Sequence, residues 1–209
     1  GIYTNKDYGN VRGLELKLDY SLNNLFIQTN YTYQFTRGNA DNPSQTFNRQ
    51  GASIDEVIRF IPMSWDQRHT FNLSLGYNTA LYGITATGYY NSGTPYTFSP
   101  QGESNLALLN LYPNNDYKPS NYYADLSGYI NLPKIFGVSS RLDFLIYNLT
   151  DRYNEYGVSS ETGRAYTAVV NETELLSHRS NFNTYEDRYK DPSMFSAPRQ
   201  IKLGLTVLF

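Results

Sequence analysis

A chain of 209 residues holds one domain's worth of sequence, and its 17 Lys+Arg against 19 Asp+Glu leave a formal charge of -2. That near-balance removes the basic stripe on which nucleic-acid binding depends, so nucleic acid is not an expected partner. The lack of cysteine excludes a disulfide scaffold, thiolate zinc sites and cysteine nucleophiles.

With 21 Tyr and 11 Phe beside one Trp and two Met, the composition favours a pleated, half-buried surface and therefore an all-β fold. No apolar run reaches the roughly 18 residues of a transmembrane helix. The chain starts at Gly1 without a basic-then-apolar leader, so any signal peptide is expected upstream or already removed. Its mean hydropathy is negative, which suits a soluble protein. It equally suits a membrane β-barrel, where half of each strand faces a polar lumen.

Taken in chain order, the apolar residues recur with a period of two, the signature of strands. Leu14, Leu16, Leu18 and Tyr20 share one face, and Glu15, Lys17 and Asp19 the other. After a tight turn at 21–24, Ile27, Tyr31, Tyr33 and Phe35 oppose Gln28, Asn30, Thr32 and Gln34. A third run sets Phe71, Leu73, Leu75 and Tyr77 against Thr70, Asn72, Ser74 and Asn78. A fourth, weaker run sets Ile84, Ala86 and Tyr90 against Thr85, Thr87 and Asn91. The fifth separates Ala124, Leu126 and Ile130 from Asp125, Ser127 and Asn131, and the sixth separates Leu142, Phe144 and Ile146 from Arg141, Asp143 and Tyr147. The last carries Ile201, Leu203, Leu205, Val207 and Phe209 opposite Lys202, Gly204 and Thr206.

These runs extend for roughly 10–13 residues, where strands of globular proteins usually have about 5–6 and a bilayer core needs about 9–11 tilted residues. Their connections alternate. Segments 21–24, 79–82 and 133–138 are tight, while 38–66, 94–121 and 151–197 are long and rich in Asn, Gly, Pro, Ser and charge. Short periplasmic turns alternating with long extracellular loops characterise outer-membrane barrels. The expected fold is thus an all-β, antiparallel transmembrane β-barrel segment of about seven long strands. The apolar rows listed by number above would face lipid, and Glu15, Lys17, Asp19, Asp125, Arg141 and Asp143 would face the lumen. Tyr20, Tyr77 and Tyr82 near the turns, and Phe35 and Phe71 toward the loops, are placed to form interfacial girdles. Single-chain bacterial barrels have an even number of strands, and an open edge in lipid leaves backbone groups unpaired. Seven strands are therefore expected to be the end of a larger barrel, whose other strands come from further sequence or another chain.

Within the long loops, Ser53-Ile-Asp-Glu56 reads as a capping box with Pro62 as a stop, predicting a short helix near 54–60. Asn171 with Glu174 predicts another over 172–178, and 155–170, with Thr162-Gly163 at its centre, predicts a hairpin.

Five segments resemble the C-terminal barrel of TonB-dependent receptors. They are Val11-Arg-Gly-Leu-Glu15-Leu; Pro62-Met-Ser-Trp-Asp-Gln-Arg-His69-Thr-Phe-Asn72; Ser92-Gly-Thr-Pro95-Tyr-Thr; Asn148-Leu-Thr-Asp151-Arg-Tyr, with Thr150 where the family usually has Phe; and Pro198-Arg-Gln-Ile-Lys-Leu-Gly204 running to Phe209. The resemblance implies a roughly 22-stranded barrel of a Gram-negative outer membrane that takes up a siderophore, vitamin, oligosaccharide or peptide with TonB-supplied energy. It implies a plug domain and a TonB box, expected outside this chain, and a terminal Phe209 read by the barrel-assembly machinery. Partners would be outer-membrane lipid, the remaining strands and plug, the TonB complex and that machinery.

The two histidines, His69 and His178, give no sign of converging on a metal, and no cofactor is expected. Loop carboxylates from Asp151 to Asp191 read as solvated charge, and Asn114–Asp116 lacks calcium-loop spacing. Asn30, Asn72, Asn148 and Asn171 begin glycosylation sequons, three of them inside expected strands. Tyr96, Tyr112, Tyr117, Tyr122 and Tyr185 are candidates for stacking on sugars. No nucleophile–base–orienter set can be assembled, so catalysis is not expected. Two other classes stay open: a structural or secretion-associated outer-membrane barrel that does not pump, and a soluble β-sandwich adhesin or carbohydrate-binding module.

Overall fold

A computed structural model describes residues 6–52, 57–99, 112–166 and 191–208. Seven long strands, hydrogen-bonded in chain order, form one antiparallel sheet: β1 (Gly9–Leu22), β2 (Leu25–Gly38), β4 (His69–Asn78), β5 (Tyr82–Asn91), β8 (Asn121–Ile135), β9 (Val138–Tyr147) and β10 (Gln200–Leu208). A two-residue strand, β3 (Ile61–Pro62), folds back onto the end of β2, and β6 (Pro95–Tyr96) pairs with β7 (Asp116–Tyr117) in the loops. The protein is therefore an all-β, antiparallel structure. Among the described residues the sheet is open, with β1 and β10 each paired on one side only.

The alternation survives pairing because each register joins like to like. One row crosses the sheet as Tyr20, Ile27, Leu75, Ala86, Leu126, Ile146 and Ile201. The next row on the opposite face runs Asp19, Gln28, Ser74, Thr87 and Asp125. A slip of one residue anywhere would exchange the two faces. The first row also climbs. Tyr20 lies near the turn end of β1, whereas its relay reaches β10 at Ile201, next to the loop end. Successive strands are thus staggered in one direction, the shear that tilted strands of a barrel require.

The tight connections use residues suited to them. Asn23 has φ 51°, and Phe136-Gly137 has φ 52° and 84°, the pair of positive angles that a two-residue hairpin turn demands. Pro133 cannot donate to a ladder, and the β8–β9 register shifts between Leu132 and Ile135, so the bulge absorbs it and β8 continues closer to the turn than its sequence suggests.

Two loop expectations need correction. Residues 57–60 are not helical; the helix lies earlier, at α1 (Gln45–Gly51), while Ser53–Glu56 fall outside the described residues. Its start is fixed by Asn42 and Gln45. The Asn42 Oδ1 accepts the Ser44 N–H at 3.1 Å, and the Gln45 Oε1 accepts the Asp41 N–H at 2.6 Å. The hairpin expected over 155–170 is instead a compact turn, in which Gly163 (φ 69°) donates to the Ser159 carbonyl and Ser159 donates to the Arg164 carbonyl. Residues 167–170 and the helix expected over 172–178 lie outside the described residues.

Among the described residues the buried hydrophobic side chains are Ile61 in the short β3, and Met63 and Ala165 in loops. The described residues form no layer over either face of the sheet; Leu16 is 55% and Leu203 82% exposed. The apolar face gains density instead by laying rings over glycines. A Cβ on Gly128 would stand 2.6 Å from the Phe144 ring and 2.7 Å from the Gly83 carbonyl. Gly128→Ala is therefore expected to cost about 1–3 kcal/mol by overpacking, measured as a lowered urea midpoint of the lipid- or detergent-refolded protein. An unchanged midpoint would mean that the ring swings aside freely.

Candidate functional site

The structure gathers its buried polar side chains at one end, where the long loops meet the strands. Asp66 is 0% exposed. Its Oδ1 accepts the Thr36 N–H at 2.6 Å, and its Oδ2 accepts the Tyr117 hydroxyl at 2.9 Å and the Arg68 guanidinium at 3.2 Å. Arg68 also donates to the Tyr117 hydroxyl at 2.7 Å and lies over the Phe35 ring at 4.3 Å. Burial, followed by the Asp66 carboxylate, pushes the Tyr117 phenol above its ordinary value. Gln67 donates to the Ser92 carbonyl, and the His69 N–H to the Ser92 hydroxyl. Gly93, pressed against the backbone of Lys118, leaves no room for a Cβ. The Asp66-Gln-Arg-His and Ser92-Gly-Thr-Pro-Tyr segments thus form one clasp joining β2, β4 and the loop after β5.

A second clasp closes the other side. Asn148 (φ 52°) donates its amide to the Arg152 and Ala197 carbonyls, and its N–H to Asp125 Oδ1 at 2.8 Å. Asn154, 1% exposed, exchanges side-chain hydrogen bonds with the backbone of Tyr122 and backbone bonds with Ser196. Asp151 accepts the Arg199 N–H at 2.8 Å. Beyond it, Glu155 takes Arg164 at 2.6 Å and the N–H of buried Ala165 at 2.7 Å. The Arg164 hydrogen bond holds the Glu155 carboxyl below its usual range; partial burial opposes it and the Ala165 N–H assists.

Between these clasps, the pairing puts Leu14, Leu16, Leu18, Ile27, Phe71, Leu73, Leu75, Leu126, Ile130, Leu142, Phe144, Ile146, Ile201, Leu203, Leu205 and Val207 on one face. Glu15, Lys17, Asp19, Asp125, Arg141 and Asp143 lie on the other. The six charges do not converge. Lys17 pairs with Asp19 at 3.0 Å on β1, and Arg141 pairs with Asp143 at 2.7 Å on β9 while lying over Tyr129. Four strand spacings of about 4.8 Å separate β1 from β8. Glu15 has no ion-pair partner among the described residues. Phe209 and His178 lie outside the described residues. His69 sits on the apolar face, 2.8 Å from the Tyr31 hydroxyl and stacked on Tyr33. No three metal-ligating side chains converge among the described residues.

The loop tyrosines named as stacking candidates are mostly committed elsewhere. Tyr117 belongs to the Asp66 clasp, Tyr122 lies under Arg152 at 4.0 Å, and Tyr96 donates to Asp116, its pKa raised to about 12 by burial and then by that carboxylate. Tyr112 is exposed, and Tyr185 lies outside the described residues. The sequence reading passed over a different set. Tyr89, Tyr123 and Tyr147 stand on the polar face at the loop end, where a cavity of about 400 Å³ is lined by Tyr123 and Tyr147 with Asp125, Tyr156, Gln200 and Lys202, and Tyr89 backs it through the Tyr123 ring. The signal was parity: Tyr89 and Tyr123 are aromatic residues at positions the alternation reserves for polar ones.

Comparison with protein-family models, with curated proteins and with solved structures finds no match to this chain.

Two outcomes follow from the clasps. Asp66→Ala leaves the buried Thr36 N–H without its acceptor and the partly exposed Arg68 without its carboxylate, and is expected to cost about 1–3 kcal/mol, read as faster proteolysis of the loops and a lowered unfolding midpoint. The Glu155 contribution has the sign of a depressed carboxyl. It is present at neutral pH, above the ordinary value of 4.5, and disappears as pH falls through the lowered folded value. The hydrogen-exchange protection factors of residues 159–165, each referenced to the intrinsic rate at the same pH, should fall on acidification in the native protein and already be low at neutral pH in Glu155→Gln.

Proposed function

We propose that this chain is the C-terminal part of a TonB-dependent receptor barrel, seated in the outer membrane of a Gram-negative bacterium, and that it works in energised nutrient uptake. One observation carries the membrane part: an apolar face crosses all seven long strands, and no described residues form a layer over it. Full burial of one such side chain is worth about 1.5–3 kcal/mol, so a contiguous face of this kind represents a driving force on the order of 10 kcal/mol or more. A soluble domain spends that force on a second layer. A barrel spends it on lipid.

Three further features agree with this reading. The strands run from 9 to 15 residues, enough for a bilayer crossing of about 9–11. The registers are staggered in one direction, as closure requires. Each open edge offers a row of backbone groups that hydrocarbon cannot satisfy, and further strands from the rest of the barrel would satisfy them. The assignment to this family within outer-membrane barrels rests on the five sequence segments, and two of them, around Asp66 and Asn148, are the loop clasps. Lumen and plug would then lie on the side of Lys17, Asp125 and Arg141, with the clasped loops extracellular.

This chain holds no cysteine, so, with any cysteine in the rest of the protein replaced by serine, single cysteines report cleanly. In the full-length protein reconstituted into vesicles, a fluorophore at Leu16→Cys, Leu75→Cys or Leu203→Cys should be quenched by brominated acyl chains. The same label at Lys17→Cys, Ser74→Cys or Thr206→Cys should be quenched by aqueous iodide. Equal iodide quenching at all six would refute the membrane reading. Uptake that persists after the inner-membrane energising complex is deleted would favour the non-pumping barrel.

A further inference from the structure

The polar-face cavity at the loop end has the chemistry of a sugar site, and we propose that it binds a neutral oligosaccharide; this names a substrate class for the uptake reading and rests on it. Tyr123 lines this cavity, and its ring stacks on that of its register partner Tyr89 with centroids 4.9 Å apart at 30°. Tyr147 and Tyr156 border the same cavity, 39% and 49% exposed. None of these four hydroxyls has a hydrogen-bond partner among the described residues, whereas those of Tyr31, Tyr96, Tyr117, Tyr122 and Tyr129 all do.

The polar groups between the rings are similarly uncommitted. The Gln200 amide makes no hydrogen bond among the described residues, and Lys202 has no acidic partner there, its ammonium lying 5.0 Å over the Tyr147 ring. Asp125 spends Oδ1 on the Asn148 N–H, and no bond among the described residues engages its Oδ2. One carboxylate and one ammonium cancel, so the site offers no net charge to an anionic chelate. It offers amide, carboxylate, ammonium and phenol groups at the edge of flat rings.

A pyranose presents the matching surface, an axial C–H face for a ring and equatorial hydroxyls for paired donors and acceptors. An extended peptide would instead add to the free edge of β10, whereas the ring and amide groups of this cavity project from the polar face of the sheet. The volume of about 400 Å³ accommodates roughly two sugar units. The site is rigid where it must be. Tyr123, Tyr147 and Asp125 stand on paired strands, and the Asn148–Asn154 clasp holds the rim that carries Tyr156.

The test uses the natural full-length protein in detergent micelles, with a panel of neutral hexasaccharides (α- and β-linked glucans, xylan, mannan and galactan), binding being read by calorimetry. Binding to at least one member is expected. Tyr123→Ala and Tyr156→Ala should then weaken it about tenfold or more, Gln200→Ala about two- to tenfold, and Tyr112→Ala not at all. No binding to any member by protein that still shows folded, heat-modifiable mobility overturns the proposal. So does binding that is indifferent to Tyr123→Ala, Tyr156→Ala and Gln200→Ala together. Gln200 has no structural partner, so its substitution remains informative if a tyrosine variant fails to fold. The uptake reading fails separately: binding retained by a protein that is soluble without detergent keeps the sugar site and discards the transporter.

Discussion

Lateral pairing of backbone groups is the constraint on which the rest of this molecule depends. The long strands satisfy their N–H and C=O groups through their neighbours, with no packed layer above or below among the described residues. The side chains are thereby free to differ on the two faces, and the registers keep that difference coherent from β1 to β10. The same constraint makes the two outer edges incomplete. An apolar sheet with unpaired edges is a poor object in water, where edges of this length invite aggregation, and an impossible one in hydrocarbon unless the ring is completed. Both considerations converge on a larger assembly of strands.

The loop end does the work that a hydrophobic core does in a globular domain, but with polar groups. Asp66, Asn148 and Asn154 each tie segments distant in sequence together: Asp66 holds the Thr36 N–H and the Tyr117 hydroxyl, Asn148 the Ala197 carbonyl, and Asn154 the Tyr122 backbone. Backbone groups that leave a sheet need new partners, and a short carboxylate or amide supplies several from one buried point. Removing such a partner is costly because the groups left behind are already desolvated. Two of the segments that carry the resemblance, around Asp66 and Asn148, anchor these clasps, and they brace long loops on the rims of paired strands. The polar cavity inherits its rigidity from them.

The sheet was legible in the sequence because its period is strict. Rows such as Leu14-Leu16-Leu18 beside Glu15-Lys17-Asp19 define both the strand and its faces, and short turns such as Asn23-Asn24 dictate which strands pair. The loops were less legible, since capping patterns compete locally. Ser53–Glu56 looked like the helix start, yet Asn42 and Gln45 hold the start at α1. Hairpin chemistry at Thr162-Gly163 produced a turn without strands, because Glu155 clamps Arg164 instead. The tyrosine cavity was illegible for another reason. Tyr89, Tyr123 and Tyr147 come from three strands, and only the register between strands, which alternation alone does not give, brings them to one end of the polar face.

The most direct measurement is the fractionation of the natural full-length protein from its own cells, with gel mobility compared before and after boiling. The account predicts that it sediments with outer membranes, leaves them only with detergent, and runs faster unboiled than boiled, as an intact barrel does. Recovery in the soluble fraction, folded without detergent and with one mobility, would contradict it, and the apolar face would then belong against a second protein layer rather than lipid.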